Sequence, residues 1–223
     1  NQAWHYGYDA VNQLTSAVLE DPQETILKSL AWHYDPAGNR IAEEKDASGL
    51  IPARHNTLNQ LTEHGGGPIR FAGSIDEPGK VWVDGHEARM RHMTDFEAWL
   101  ELPPGTHEIP ITAEDYSENT ITQVFEVHIA DEGQVLLAYD LNGNLVSRIS
   151  ATSVTTYDWD AANRLIAIEV EGQPRSEFTY DGLGRRVGIT EKEWDTGTSS
   201  FITLHSSFYL WDGLSIAEQR SGT

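Results

Sequence analysis

The chain is predicted to be all-β, and three features of its 223 residues point that way. Strand and turn formers dominate: 19 Gly and 9 Pro stand among 7 Trp, 8 Tyr, 6 Phe and many Thr, Ile and Val. An aromatic–acidic pair, followed three residues later by Gly or Asn, recurs along the chain. Between the third and fourth copies the pattern changes to short alternating apolar runs, the period of half-buried strands. One stretch, Asp21 to Leu30, begins Asp-Pro-Gln-Glu and reads as a short helix with a capped first turn. Thr25-Ile26-Leu27 within it suits a strand equally well.

The recurring pair justifies the hairpins in order. Its copies are Tyr8-Asp9, Tyr34-Asp35, His55-Asn56, Tyr139-Asp140, Trp159-Asp160 and Tyr180-Asp181. Three positions on stand Asn12, Gly38, Asn59, Gly143, Asn163 and Gly184, the residue types that accept positive φ at least cost. Asp at the first turn position and a left-handed residue at the fourth specify a type I turn with a G1 bulge, which is a hairpin turn. Two residues ahead of the pair comes a second aromatic: Tyr6, Trp32, Tyr157 and Phe178. Positions two apart in a strand share a face, so Tyr6 with Tyr8, Trp32 with Tyr34, Tyr157 with Trp159 and Phe178 with Tyr180 are expected to form an aromatic ladder. Leu14, Ile41, Leu61, Leu145 and Leu165 open the return strands. A looser copy, Tyr209-x-Trp211-Asp212-Gly213, puts Ser215 in the positive-φ slot and is expected to turn differently.

This pattern resembles the YD-repeat, or RHS-repeat, family, whose Tyr-Asp-x-x-Gly-Arg hairpins wind into a spiral sheet. Tyr180-Asp181-Gly182-Leu183-Gly184-Arg185 matches that motif best, followed by the runs at Tyr34 and Tyr139. The resemblance covers 1–67 and 132–223. It implies a secreted or cell-surface bacterial scaffold, either a shell around a toxin or an adhesive ectodomain. Phe208-Tyr209-Leu210-Trp211-Asp212 looks like the strand leading into that family's core region, and no autoproteolytic aspartate of that core is assignable here.

Residues 68–131 read as an insertion. Gly65-Gly66-Gly67-Pro68 makes a seam. Val81 and Val83 then face one way and Trp82 the other. Asp84-Gly85 is a hairpin turn, and Phe96, Ala98, Leu100 and Leu102 share a face that leaves Glu97, Trp99 and Glu101 outside. Ile109, Ile111 and Ala113 alternate next, followed by Ile121 to Ile129. About six strands suggest a small two-sheet sandwich. Val83-Asp84-Gly85-His86-Glu87-Ala88 and Leu102-Pro103-Pro104-Gly105-Thr106-His107 are similar to bacterial Ig-like modules.

Fifteen Lys plus Arg against 35 Asp plus Glu give a net charge of −20, which argues against a nucleic-acid partner. Residues 69–131 hold 13 acids and four bases, so the insertion supplies about −9 of it. The absence of cysteine excludes disulfides, thiolate metal sites and thiol nucleophiles. No apolar run is long enough for a transmembrane helix, and nothing at the N-terminus reads as a signal peptide. Asn1 stands directly ahead of a strand, so the chain is expected to be a piece of a longer protein.

Trp82 and Trp99 are the candidate ligand-binding residues, since exposed indoles can stack on sugars or contact a protein. The plainer alternative packs them on the hairpin sheet. No metal is expected: His86, Glu87 and His92 lack a ligand spacing, and Asp140-x-Asn142-x-Asn144 lacks the sixth-position Gly and twelfth-position Glu of a calcium loop. The aspartates recur at every turn, where they bond turn amides, and so they do not suggest a catalytic pair. No cofactor is implied and no catalytic motif is present. The expected function is that of a non-enzymatic scaffold. Its partners would be neighbouring YD repeats of the parent, copies of itself through open sheet edges, or an encased toxin domain. The alternative is an adhesion module whose insertion binds a glycan or protein.

Overall fold

The computed structural model describes residues 2–46 and 48–222. They form two compact units, Asn1–Gln134 and Val135–Thr223, with strands as the regular elements of both.

The first unit opens with a six-stranded antiparallel meander. Its strands are β1 (Ala3–Tyr8), β2 (Leu14–Glu20), β3 (Ile26–Tyr34), β4 (Arg40–Lys45), β5 (Leu50–His55) and β6 (Leu61–His64). The pairing slips between Gly7 and Tyr8, between His33 and Tyr34, and between Arg54 and His55. Each slip is the bulge demanded by a type I turn with a left-handed fourth residue. Asp21 to Leu30 is not helical. The Asp21 carboxylate accepts the N–H groups of Gln23 and Thr25, each at 2.9 Å, and closes a hairpin turn. β3 then pairs with β2 from Ile26 onward, so the ladder takes the amides that a helix would have used.

Seven strands follow: β7 (Pro68–Ser74), β8 (Gly79–Val83), β9 (His86–Glu87), β10 (Arg89–Met90), β11 (Asp95–Glu101), β12 (Gly105–Asp115) and β13 (Thr120–Ile129). β11 pairs with both β7 and β10, while β9, β8, β12 and β13 pair in that order. The two sheets close on one apolar cluster. Val81 and Val83 have no exposed surface, and Ala88, Phe96, Ala98, Leu100 and Ile109 pack with them. The alternation along β8 and β11 is what turns these side chains inward together. At its far end β13 meets β5 through the parallel pair Ile129 and Leu50. One expectation needs correcting here. Glu97 is not a solvated outer residue but is 4% exposed, because Arg70 of β7 and Arg91 fold over it from both sides.

The second unit is a meander of eight strands: β14 (Val135–Tyr139), β15 (Leu145–Ser150), β16 (Val154–Trp159), β17 (Leu165–Val170), β18 (Arg175–Tyr180), β19 (Arg186–Asp195), β20 (Ser200–Asp212) and β21 (Ser215–Gly222). The same slip precedes Tyr139, Trp159, Tyr180 and Trp211. At the last turn the positive φ falls on Gly213 (59°), and Ser215 already lies in β21 paired with Asp212. Two residues suffice to reverse the chain there, so no left-handed fourth position is needed.

Candidate functional site: the stacked turn edge

One side-chain oxygen, from Asp or in one case Asn, holds each of the six repeat turns. Asp9 Oδ1 accepts the N–H groups of Val11 at 2.9 Å and Gln13 at 2.8 Å. Asp35 Oδ1 does the same for Ala37 and Asn39 at 2.9 and 2.8 Å. Asn56, Asp140, Asp160 and Asp181 repeat the pattern two and four residues ahead. Two main-chain bonds complete each turn, such as Gly38 N to Asp35 O at 3.0 Å and Asp35 N to Asn39 O at 2.9 Å. The fourth residue is left-handed in all six: φ is 65° at Asn12, 87° at Gly38, 60° at Asn59, 87° at Gly143, 57° at Asn163 and 77° at Gly184.

Asp21 and Asp115 build the same turn, with Glu24 (φ 61°) and Glu118 (φ 65°) in the left-handed position. Sequence reasoning missed both because Glu stands where Gly or Asn was sought. A better signal lies at the fifth position, which carries a polar side chain in all eight turns: Gln13, Thr25, Asn39, Gln60, Asn119, Asn144, Arg164 and Arg185.

That fifth side chain reaches in two directions. Asn39 Nδ2 donates to Asp35 Oδ2 at 2.9 Å and to Asn59 Oδ1 of the next turn at 3.0 Å. Asn144 does likewise with Asp140 and Asn163, both at 2.9 Å. Arg164 pairs with Asp160 Oδ2 at 2.7 Å, donates to the Asp181 carbonyl at 3.4 Å and lies 5.0 Å over the Tyr180 ring. Arg185 pairs with Asp181 Oδ2 at 2.7 Å, donates to the Gly213 carbonyl at 2.9 Å and lies 5.7 Å over Trp211.

These bonds favour the charged carboxylate. The Asn144 amide holds the Asp140 carboxyl below its ordinary range, and the Arg164 guanidinium does so at Asp160. At Asp181 the Arg185 backbone N–H is the main cause. Burial pushes Asp35 upward, but its bonds from Asn39 and Ala37 outweigh that and bring it down.

A second stitch joins neighbouring hairpins. In four copies the aromatic of the pair donates to the carbonyl at the sixth position of an earlier repeat turn. Tyr34 Oη reaches Leu14 O at 2.9 Å and Trp159 Nε1 reaches Leu145 O at 2.8 Å. Tyr180 Oη reaches Leu165 O at 2.8 Å and Trp211 Nε1 reaches Arg186 O at 3.0 Å. His55 departs from these four: its ring is shorter, and its buried Nδ1 has no hydrogen-bond partner among the described residues. Burial pushes the His55 pKa down, Arg40 adds to this and Asp35 opposes it.

The aromatic positions of the ladder thus differ in environment. Tyr6 and Tyr8 on β1 are 56% and 61% exposed, while Trp32, Tyr34, Tyr157, Trp159, Phe178 and Tyr180 are half-buried. Ring-on-ring contact occurs at Trp4–Tyr6, with centroids 6.2 Å apart, and at Trp194–Phe201, 5.1 Å apart. Tyr34, Trp159 and Tyr180 are tied to an earlier repeat by their polar tips.

Trp82 and Trp99 lie on β8 and β11, which belong to different sheets. Both side chains point away from the shared core, so the two indoles stand on opposite outer faces and form no joint platform. Trp99 is 41% exposed and Trp82 is half-buried.

Among the described residues, no group of three or more His, Asp or Glu side chains is placed to hold a metal ion. Two charged clusters were not legible from spacing. Arg54 joins Glu63 of β6, at 2.8 Å, to Glu101 of β11. Arg175 gathers Asp158 at 2.6 Å, Glu169 at 3.0 Å and Glu177 at 3.4 Å. An open cavity of about 660 Å³ lies between the first two Tyr-Asp turns and β7, lined by Asp9, Gln13, Trp32, Tyr34, Asp35 and Arg70 among others.

Residues 139–175 match the RHS Repeat family. The double-stranded DNA deaminase toxin A of Burkholderia cenocepacia (strain H111) is 29% identical over 85 residues, which are 36% of this chain and 6% of that protein. Two solved assemblies align more widely at lower identity. A TcdB2–TccC3–TEV crystal structure covers 94% of this chain and 11% of that one, at 15% identity and a TM-score of 0.35. The Photorhabdus luminescens Tc holotoxin pore covers 99% of this chain and 12% of that one, at 13% identity and a TM-score of 0.34. The chain therefore spans a small part of each relative's length.

Proposed function

Starting from a chain that carries RHS repeats, we propose that it is a non-enzymatic segment of an RHS/YD-repeat shell or surface protein of the toxin-encapsulating or toxin-delivering type. The observation that supports this is the double stitch between successive turns, in which a fifth-position side chain and an aromatic donor each bond the neighbouring repeat. A stack held by nearest-neighbour bonds extends by adding hairpins and has no need of a catalytic centre. The similarity to a protein named a deaminase toxin supports a toxin-associated parent, with the deaminase chemistry belonging to that protein.

In this reading 1–67 and 132–223 are repeats, and 68–131 is an inserted Ig-like module. The partners are neighbouring repeats, further copies of the chain and an encased toxin domain, and the location is secreted or at the cell surface. An adhesion role through Trp82 and Trp99 is the weaker reading, since those indoles occupy opposite faces.

The test is limited proteolysis of the parent protein with its cargo. The cargo is expected to resist digestion while the repeats are folded. It should become sensitive when Arg164→Ala and Tyr180→Phe together loosen the stitch. Equal digestion of the cargo with and without the repeats would overturn the shell reading.

A further inference from the structure

The first Tyr-Asp turn lacks a bond that its siblings make. At Asp160 the chain's own guanidinium from Arg164 caps the carboxylate, covers the Tyr180 ring and donates to the Asp181 carbonyl. Arg185 repeats this on Asp181, Trp211 and Gly213. The equivalent residues of the first turn are Asp9, Gln13, Tyr34 and Asp35. Gln13 is an uncharged amide, and it reaches across to the next turn, with its Nε2 3.1 Å from the place a Cβ on Gly38 would take. Among the described residues, Asp9 Oδ2 consequently accepts no hydrogen bond, whereas the second oxygens of Asp35, Asp140, Asp160 and Asp181 are all capped. The open cavity of about 660 Å³ lies at this spot, with Asp9, Tyr34, Asp35 and Trp32 on its walls.

We propose that this cavity binds the guanidinium of an arginine side chain presented by another protein segment. Its walls carry the counterparts of the residues that Arg164 meets elsewhere in the chain: Asp9 for Asp160, Tyr34 for Tyr180 and Asp35 for Asp181. A planar guanidinium can donate to the carboxylate while stacking on a ring, which a lysine ammonium cannot do in the same way. The charges facing the cavity are Asp9, Asp35 and Arg70, with His33 beside them, and Arg70 is matched by Glu97 Oε1 at 2.6 Å. A net charge of −20 draws cationic partners toward the chain as a whole. The inference does not depend on the shell reading, because it rests on the turn's own geometry.

The experiment titrates the tripeptide acetyl-Gly-Arg-Gly-amide into the full chain, followed by calorimetry, with acetyl-Gly-Lys-Gly-amide and free arginine as separate arms. Saturable binding of the arginine peptide is expected, weakening as salt is added. The lysine peptide and the Asp9→Asn variant should each bind about tenfold more weakly or worse. Gln13→Arg places the guanidinium on the chain itself, as in the sibling turns. That variant should fold, melt at a higher temperature and lose peptide binding. Unchanged peptide binding by Gln13→Arg, or equal binding of the arginine and lysine peptides, would overturn the site. Free arginine binding as tightly as the peptide would overturn the assignment to a protein segment.

Discussion

The hairpin stretches and the strands between Pro68 and Ile129 are both antiparallel sheet, yet they are held together differently. In the hairpins the specifying groups are polar and lie at the turns, and few side chains of the second unit are buried, among them Ala167 at 2% exposed. In the second kind of region one turn, at Asp115, is of the same kind, and the specification lies in one closed apolar cluster centred on Val81, Val83 and Ile109. A stack of hairpins has no inside until its neighbours are added, so its order must be carried bond by bond along the edge. A sandwich carries its own inside and can be built from short strands without repeated motifs. The two regions should therefore fail differently under mutation.

The largest effect is expected from the closed core. Ile109 is 2% exposed, and Ile109→Ala should cost about 3 kcal/mol through lost burial and the cavity left behind. Urea unfolding measures the loss. Amide exchange should accelerate through 68–129 and stay unchanged through 139–180. Equal acceleration in both stretches would erase the contrast between a core-built and an edge-built region.

Next in size is an electrostatic effect within the sandwich. Burial pushes the Glu97 carboxyl upward, but hydrogen bonds from Arg70 and Arg91 outweigh it and hold it below 4.5. A group whose pKa is depressed by folding stabilises above its unfolded value, and that stabilisation is lost as pH falls through the folded value. The stability gap between the parent chain and Glu97→Gln should thus be steady above pH 4.5 and shrink below it. A gap that widens on acidification would mean that the two arginines do not stabilise the charged form.

Smaller again is the stitch between hairpins. Tyr180→Phe keeps the ring and removes the bond to Leu165 O, so about 1 kcal/mol should be lost. Tyr8→Phe is the matched control, because Tyr8 is 61% exposed on β1 and should show no measurable change in the same thermal melts. Equal effects at both positions would remove the special role of the hydroxyl.

Much of this architecture was legible beforehand, and the reason is physical. A type I turn with a bulge needs an acceptor at its first position and a positive φ at its fourth, so Asp35 with Gly38, and Asp181 with Gly184, announce themselves in the sequence. The inward faces of β8 and β11 were legible for the same kind of reason, since alternation is a local property. What escaped was everything set by distance across the fold. Glu97 looks like a solvated acid until Arg70, twenty-seven residues earlier, is brought against it. The bond from Tyr180 to Leu165 spans fifteen residues, and the ring alone suggests stacking instead. Trp82 and Trp99 look like a pair in the sequence because nothing local says that their strands belong to different sheets.

The smallest prediction concerns the two turns that the fourth-position rule missed. Glu118 sits at φ 65° and Glu24 at φ 61°, a conformation in which a Cβ crowds the following carbonyl at a cost of roughly 1–2 kcal/mol. Both turns form nonetheless, because the carboxylates of Asp115 and Asp21 each bind two amides and the ladders on either side fix the register. Glycine at the fourth position would remove the crowding but would add freedom to the unfolded chain, which takes back about 0.5–1 kcal/mol. Glu118→Gly and Glu24→Gly should therefore each stabilise by about 0.5 kcal/mol in urea titrations. Glu118→Gly acts at the tip of the β12–β13 hairpin, which belongs to the core-built region, and Glu24→Gly acts between β2 and β3 of the edge-built one. If turn geometry is a local property, both gains should match. A gain at Glu24 alone would mean that the sandwich core, and not the carboxylate, sets the turn at Asp115.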